Sequence, residues 1–475
     1  MADNSTNAPE SDVSIDPHNT EKAEIIPVEI PSDFQGRFKA LFGLALPIIG
    51  GMISQNLLNL VDIAMVGRLD NTEIALGAVG FGGIISWLCS AFFMGAGPGV
   101  QAITSRAFGA GLTEDARNAL NTSLILVAVL VIPYSQGLSF VSEDILSILS
   151  TDENVVEMGV PYLDVRLMAI PFVIANFCFR GYWNGVGKTG LYLRTIIIMH
   201  LANIFLNWVL IYGNLGAPEL GVLGAGCASA ISVALGTTMY IGLAFLHEPS
   251  GKPFTWPSGL RKMVKRILRL SIPNGTQNIL FSLGFSVFYA IAQRLGTAEL
   301  AATNVLINLN LACVLPGLGF GLASATLVGQ SLGRKRPKDA EQWAWLTVKV
   351  SAACLTALGL CIAYNAEFFL SLLVHDADTV ALAIVPLVIL GMIQPADSVG
   401  VVLSQTLLGA GAVKTVMGVS IALQWGLFLP LAYWLCVVEN GDLVLLWMLF
   451  AGWRVLFSGA MVWTFQRGKW KDTHV

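Results

Sequence analysis

Two carboxylates stand in stretches that otherwise hold little that is polar: Asp62 in LFGLALPIIGGMISQNLLNLVDIAMV and Asp397 in VPLVILGMIQPADSVGVVLSQTLL. An ionised Asp at the centre of a bilayer costs about 2.5–3.5 kcal/mol even on the lenient insertion scale, so each must face protein or a water-filled interior rather than lipid. The chemistry open to such a group is reversible: an acid withdrawn from water holds a proton more readily, and an approaching cation favours the ionised form. Proton and cationic substrate then compete for related states, which points to transport. An acid buried only to fix helix packing is the alternative reading.

A second constellation lies in MHLANIFLNWVLIYG, where His200, Asn203 and Asn207 fall at i, i+3 and i+7 and so share one helical face. Polar groups surrounded by lipid seek internal partners, so this stripe is expected to face the interior of an N-terminal bundle, where Asp62 could also lie. Helix–helix hydrogen bonding alone would also explain it. His200 stands six residues from Arg194, so it either relays protons or sits near the membrane interface.

Patterns of enzymatic chemistry are missing. NGVGKTG has Tyr182 where a nucleotide-binding loop requires glycine, and no strand pattern precedes it. His247-Glu248 lacks the second His of a zinc-protease helix, and no GxSxG occurs. The seven cysteines (89, 178, 227, 313, 354, 361 and 436) have no CxxC spacing or nearby His pairs and read as small apolar packing residues. The expectation is a protein that is not an enzyme and needs no cofactor.

The elements that position these residues follow from composition. The 475 residues are 55% hydrophobic and 12% charged, with mean hydropathy +0.69, far from soluble-domain composition. Apolar runs long enough to cross about 30 Å of hydrocarbon start near residues 41, 74, 118, 159, 192, 222, 268, 300, 343, 380, 415 and 443. These predict an all-α membrane protein of about twelve transmembrane helices. Lys and Arg collect in alternate gaps: Arg106 and Arg117, Arg180 to Arg194, Lys252 to Arg269, Arg334 to Lys338, Lys414, and Arg467 to Lys471. The opposite gaps hold Glu143, Asp144, Asp152, Glu153, Asp376, Asp378, Glu439 and Asp442, with only Arg68 and Arg294 as cations. The positive-inside rule makes both termini cytoplasmic, in a multi-pass inner-membrane protein. The net charge of −4 averages segregated faces and implies no overall partner, nucleic acid included. The first 33 or so residues are acidic and polar, a composition expected to be disordered. They contain no basic start followed by an apolar core and cleavage site, so the first span is expected to direct insertion.

The chain also repeats itself. Pro47 and Pro273 stand 226 residues apart, and Arg68 and Arg294, Glu73 and Glu299, and Gly95 and Gly321 keep that offset. It slips to 224 for Gly109 and Gly333, Pro171 and Pro395, and Gly185 and Gly409. Six spans per half is even, so both halves enter the membrane from one side as parallel repeats. The predicted organisation is an acidic tail over 1–36, a six-helix bundle over 37–248, a basic linker over 249–269, a second bundle over 270–466 and a tail over 467–475, with a central cleft between the bundles. GAGPG at Gly95 and GLGFG at Gly317 space small residues for close helix approach, with Pro98 and Pro316 as bend points. Asp164 and Arg166, near the start of the fourth predicted span, read as interfacial; Lys349 and Arg454 read as snorkelling or pairing locally.

With these residues in view, the chain resembles the multidrug and toxic compound extrusion (MATE) family, and most closely its NorM-type branch. The motifs are LPIIGGMISQNLLNLVDIAMVGRL with Gln55 and Asp62, FLNWVLIYGNLGAPELGVLGAG, and Gln394-Pro395-Ala396-Asp397 followed by GAGAVKT. The resemblance covers about residues 37 to 466. It implies export of organic, mostly cationic compounds in antiport with H+ or Na+ by alternating access, in a protein functional as a monomer among membrane lipids. It implies that Asp62, Asn203, Asn207, Ser229 and Asp397 couple to the ion, with Na+ a candidate at Asp62, Asn203 and Asn207. Gln55, His200, Gln277, Asn278, Ser282 and Gln394 are candidates for substrate contact or proton relay. Phe281 stands where many NorM-type members carry Glu, eight residues after the proline of the seventh span, which disfavours a complete C-terminal Na+ site and makes H+ the expected coupling ion. Asp397 is expected to have no ionisable partner. The rival readings are a lipid-linked or polysaccharide flippase of the same superfamily, which needs a basic cleft, a channel without ion coupling, and a non-transporting receptor or scaffold.

Overall fold

The computed structural model describes residues 31, 33–247, 252–374 and 376–473. Most of the segment read as an acidic tail, the start of the linker and the last two residues lie outside the described residues. Those described fold into twelve membrane-crossing helices when one bent pair is taken as a single crossing. In chain order these are α1 (Phe34–Val66), α2 (Thr72–Gly109), α3 (Thr113–Ser139) and α4, the pair Glu153–Met168 and Ile170–Gly185 bent by 40°. Then come α5 (Thr189–Tyr212), α6 (Gly221–His247), α7 (Leu260–Leu295) and α8 (Thr297–Gly333). The last four are α9 (Pro337–Tyr364), α10 (Ala377–Gly409), α11 (Val413–Val438) and α12 (Leu443–Gln466).

Local chemistry explains their ends and breaks. Even-numbered helices start at the acidic face, and there Asp152, Asp376 and Asp442 cap α4, α10 and α12 by accepting backbone N–H bonds at 2.8–2.9 Å. The charge asymmetry of that face therefore has a structural cause, since carboxylates complement the positive ends of helix dipoles. Proline shapes the interiors. The π-turns Val127–Val131 and Gln424–Phe428 end one residue before Ile132-Pro133 and Leu429-Pro430, where a missing N–H and the ring displace the regular ladder. In α2 the helix turns at Gly95, three residues before Pro98.

Within the N-terminal half, α1 and α5 run parallel and in register. Hydrogen bonds join Thr189 to Gly43, His200 to Ser54 and Gln55, Asn207 to Asp62 and Tyr212 to Met65, at sequence separations of 145–147. Their repeat counterparts α7 and α11 are joined likewise, through Gln277 and Ser420, Gln424 and Phe281, and Trp425 and Leu280, at separations of 143–145.

The halves meet toward the basic face. Gln101 Nε2 donates to Leu322 O (2.9 Å) and Thr326 Oγ1 (3.0 Å), Thr326 Oγ1 to Asn184 O (3.0 Å) and Gln330 Nε2 to Gly185 O (2.9 Å). Arg37 on α1 pairs with Asp339 on α9 at 3.5 Å. α2 and α8 cross through small residues: a Cβ on Gly109 would strike the Gln330 backbone, and one on Gly333 the carbonyl of Arg106. Those two contacts are repeat images of each other. An apolar core spanning both halves, with Leu41, Ala45, Ile103, Phe320 and Val328 fully or nearly buried, lies at the same level. Among the described residues, no hydrogen bond joins the halves nearer the acidic face than Asn278 Nδ2 to Ala91 O at 3.3 Å. The central cleft is thus closed at its basic end.

Candidate functional site

α1 presents Gln55, Asn59 and Asp62 at i, i+4 and i+7, one face of the helix. The face of α5 carrying His200, Asn203 and Asn207 packs against it, and all three are buried. Asn207 Nδ2 donates to Asp62 Oδ1 at 2.6 Å and to Asn203 Oδ1 at 3.0 Å, and Asn203 Nδ2 donates to Ser229 Oγ on α6 at 3.3 Å. Four residues singled out from sequence thus form one hydrogen-bonded chain. Asn207 Oδ1 is buried and accepts no bond, which leaves an acceptor beside a half-buried carboxylate. Oxygens of Asp62, Asn203, Asn207 and Ser229 suit a hard cation such as Na+, and the Asp62 carboxyl alone suits a proton.

His200 belongs to the next level of the α1–α5 seam. Its Nδ1 lies 2.6 Å from Ser54 Oγ and its Nε2 3.2 Å from Gln55 Oε1. Since an amide oxygen only accepts, Nε2 carries the proton toward Gln55. Gln55 Nε2 in turn reaches Asn59 Oδ1 at 3.4 Å. The seam continues the Asp62 cluster along α1 and places His200 within the bundle rather than at the interface. Ser54 and Asn59 were missed from sequence, although the spacing of Asn59 between Gln55 and Asp62 signals it.

The C-terminal half departs from expectation. Asp397, expected to lack an ionisable partner, is paired with Arg454: Nε and Nη2 of the guanidinium both stand 2.5 Å from Asp397 Oδ1, and both side chains are largely buried. Arg454 also lies over the rings of Trp453 and Phe457 at 5.4 and 5.5 Å. The pairing was hidden because α10 and α12 meet only in the fold, where Arg454 cannot snorkel past two aromatic rings. Gln394 is buried one turn from Asp397 and donates to Asn310 Oδ1 at 3.3 Å. Gln277, Asn278 and Ser282 do not join this pair. Gln277 bonds Ser420 on α11 and Asn278 the Ala91 carbonyl on α2, while the half-buried Ser282 side chain makes no hydrogen bond among the described residues. Phe281 stacks on Phe285, with centroids 4.9 Å apart.

Asp164 and Arg166 lie near the end of the first arm of α4, Glu153–Met168, with Asp164 Oδ1 and Arg166 Nε buried and unbonded among the described residues. The apolar run near 159 concealed the helix start because its first turn is polar.

The profile of the MatE family matches residues 47–209 and again 273–434, beginning at the two prolines that open the repeat. Similar proteins include a probable multidrug resistance protein NorM from Mannheimia succiniciproducens, 25% identical over 86% of this chain and 87% of that protein. One of the same description from Photorhabdus laumondii is 28% identical over 84% and 88%. The probable multidrug resistance protein YoeA of Bacillus subtilis is 24% identical over 90% and 93%. Among solved structures, an outward-facing multidrug resistance MATE transporter of the MOP superfamily superposes with a TM-score of 0.84 at 21% identity, covering 92% of this chain and 97% of that one. A MOP-superfamily transporter from Pyrococcus furiosus, described as having a binding pocket of reverse polarity, superposes with a TM-score of 0.83 at 20% identity over the same shares. Because the profile matches both halves, this chain belongs to the MatE family, which comprises membrane transporters rather than enzymes.

Proposed function

We propose that this chain is a secondary active multidrug exporter that moves organic, mostly cationic compounds outward in antiport with H+ or Na+. Both termini and the basic face are cytoplasmic in this reading, by the positive-inside rule, in an inner-membrane protein that works as a monomer among lipids. The observation that carries it is the Asp62 cluster: a half-buried acid within an apolar helix, hydrogen-bonded by Asn207 and with no basic group bonded to it among the described residues. A carboxylate so held can exchange its counter-ion, whereas Asp397 already has one in Arg454.

The closed basic seam supports alternating access as the mechanism. The ion-loaded and substrate-loaded forms of the N-terminal half prefer different openings, and each ligand shifts the balance only by its differential affinity. H+ is the coupling ion we favour, because Phe281 and the Asp397–Arg454 pair together disfavour a cation site in the C-terminal half. Na+ at Asp62, Asn203 and Asn207 is the second reading, favoured by the unused Asn207 Oδ1. A flippase would need a basic cleft, whereas the hydrogen-bonded cluster of the N-terminal half is centred on the acid Asp62. Reconstitution into proteoliposomes, with pH and Na+ gradients imposed separately, tests the proposal. Efflux driven by a pH gradient alone is expected; efflux driven only by Na+ with pH clamped selects the second reading, and no ion-driven flux rejects both.

A further inference from the structure

The residues that follow α12 are held against the bundle. α12 ends at Gln466, and Gly468 takes a left-handed backbone (φ +72°) that residues with a side chain rarely adopt, so the chain doubles back on the helix it has left. A 3-10 turn over Lys469–Asp472 then seats Trp470 in the apolar core at the basic end. The indole is 2% exposed, stacks on Phe465 with centroids 4.7 Å apart, and donates its Nε1–H to the Phe465 carbonyl at 2.8 Å. Phe465 in turn meets Trp345 of α9 edge-on at 5.7 Å. Lys471 pairs with Glu341 of α9 at 2.7 Å. A buried ring with its N–H satisfied is a firm anchor, and both attachments fix this segment to the C-terminal half.

Its far end reaches the other half. The Thr473 carbonyl accepts from Nη1 of Arg106, which stands in the last turn of α2. The backbone carbonyl of Arg106 is the group against which Gly333 of α8 is seated, so one residue meets α8 through its backbone and the doubled-back segment through its side chain. A second link between the halves lies on the same turn of α9 that holds Lys471. Arg37 of α1 pairs there with Asp339 at 3.5 Å and donates to Gln342 Oε1 at 2.6 Å, on either side of Glu341. The two links differ in kind. Arg37 and Asp339 are side chains partly open to water, where salt screens them. Arg106 instead holds a backbone carbonyl positioned by a buried tryptophan, a charge-assisted hydrogen bond.

Parting the halves at the basic end carries α2 away from α8 and α9. Phe465, Trp345 and Glu341 all travel with the C-terminal half, so Trp470 keeps its seat and the bond between Arg106 and Thr473 is the one that breaks. We infer that residues 468–473 form a strap that latches the closed basic end, anchored by Trp470 in one half and clasping Arg106 of the other. A bond made only in the closed form raises the population of that form by its own worth. The strap acts on the resting balance of conformations whatever ion or cargo is bound, and so goes beyond the exporter reading.

Hydrogen exchange of the purified full-length chain, read by mass spectrometry, tests this, because amides at the seam exchange in proportion to the fraction of open form. The segments that report are 101–109 of α2 and 322–333 of α8, compared with the end of α12. Trp470→Ala unseats the anchor, and Arg106→Ala removes the donor while leaving the anchor in place. Each should raise exchange at the seam about tenfold, the worth of one charge-assisted hydrogen bond. The double variant should go no further than the larger single one, since both act through one contact. Arg106→Lys, which still donates, and Trp470→Phe, which still stacks, should stay closer to wild type. Exchange that rises only in the strap and the end of α12, a seam unchanged in Arg106→Ala, or additive effects in the double variant would each overturn the inference. Flux assays separate it from the exporter reading. Variants that open the seam in a chain that moves no compound on an ion gradient refute export alone, whereas ion-driven efflux with a seam indifferent to both variants refutes the strap alone.

Discussion

Arg454 holds Asp397 by a single carboxylate oxygen, with Nε and Nη2 both 2.5 Å from Oδ1, and the pair joins α12 to α10 in the interior of the C-terminal half. Two buried opposite charges are held against their desolvation cost only while both are present. Removing either strands the other.

Stability should therefore respond non-additively. Arg454→Met alone is expected to destabilise the protein by about 3–5 kcal/mol, whereas Arg454→Met combined with Asp397→Leu should be close to neutral. Thermal unfolding of the detergent-solubilised variants measures this. A single variant as stable as wild type would show that the pair contributes nothing.

Asp62→Asn keeps the size and hydrogen-bonding capacity of the side chain but removes its exchangeable charge. Ion-driven efflux, normalised to membrane protein, should fall about 10- to 100-fold, as expected for losing a charged hydrogen-bonding group. Normal efflux in this variant, with activity lost only on apolar replacement, would assign Asp62 to packing instead of coupling.

Charge counting yields a third expectation. With Asp397 neutralised by Arg454, one proton exchanged at Asp62 for one monovalent cation moves no net charge, so the roughly 2.3 kcal/mol per charge at 100 mV is not harvested. Efflux of a monovalent cation should be indifferent to an imposed potassium diffusion potential. A strong response to potential would require a second ion.

The α2–α8 crossing is a wedge point. Gly333→Val forces a side chain against the Arg106 carbonyl, a clash that costs about 1–3 kcal/mol in a packed interior. The closed basic end should lose population, seen as faster alkylation from that side of a cysteine placed at the buried Ala102. Unaltered labelling would mean that the seam is not the closure.

At the acidic face, Asp376 accepts from Thr379 N at 2.9 Å and Thr379 Oγ1 at 2.6 Å, and these bonds hold its carboxyl below the ordinary value of 3.8. A depressed folded value stabilises the start of α10 above the unfolded pKa, and the contribution is lost as pH falls from there through the lower folded value. Hydrogen exchange at the first turn of α10 should accelerate on acidification below about pH 4. Asp376→Asn, which still caps, should lose that pH dependence.

Much of this protein was legible in one dimension because a bilayer leaves a chain few choices. Hydrocarbon admits backbone only as satisfied helix, so apolar run lengths alone predict the crossings. Parallel repetition followed from Pro47 and Pro273, and the face of His200, Asn203 and Asn207 from helical period. The Asp62 cluster was within reach because every member lies on a periodic face of its own helix.

Tertiary structure decided which of the two interior acids is ion-paired. At the 226 offset Asp62 corresponds to Phe288, which is buried among Phe428, Trp447 and Phe450 with centroids 5.4–5.8 Å apart, so the equivalent site in the C-terminal half is filled with aromatic rings. The acid in that half's interior, Asp397, is paired with an arginine 57 residues away. Sequence establishes that a charge lies at membrane depth, since hydropathy is a property of the residue. Whether that charge is free, paired or poised depends on which helices touch, and only the packed bundle settles that.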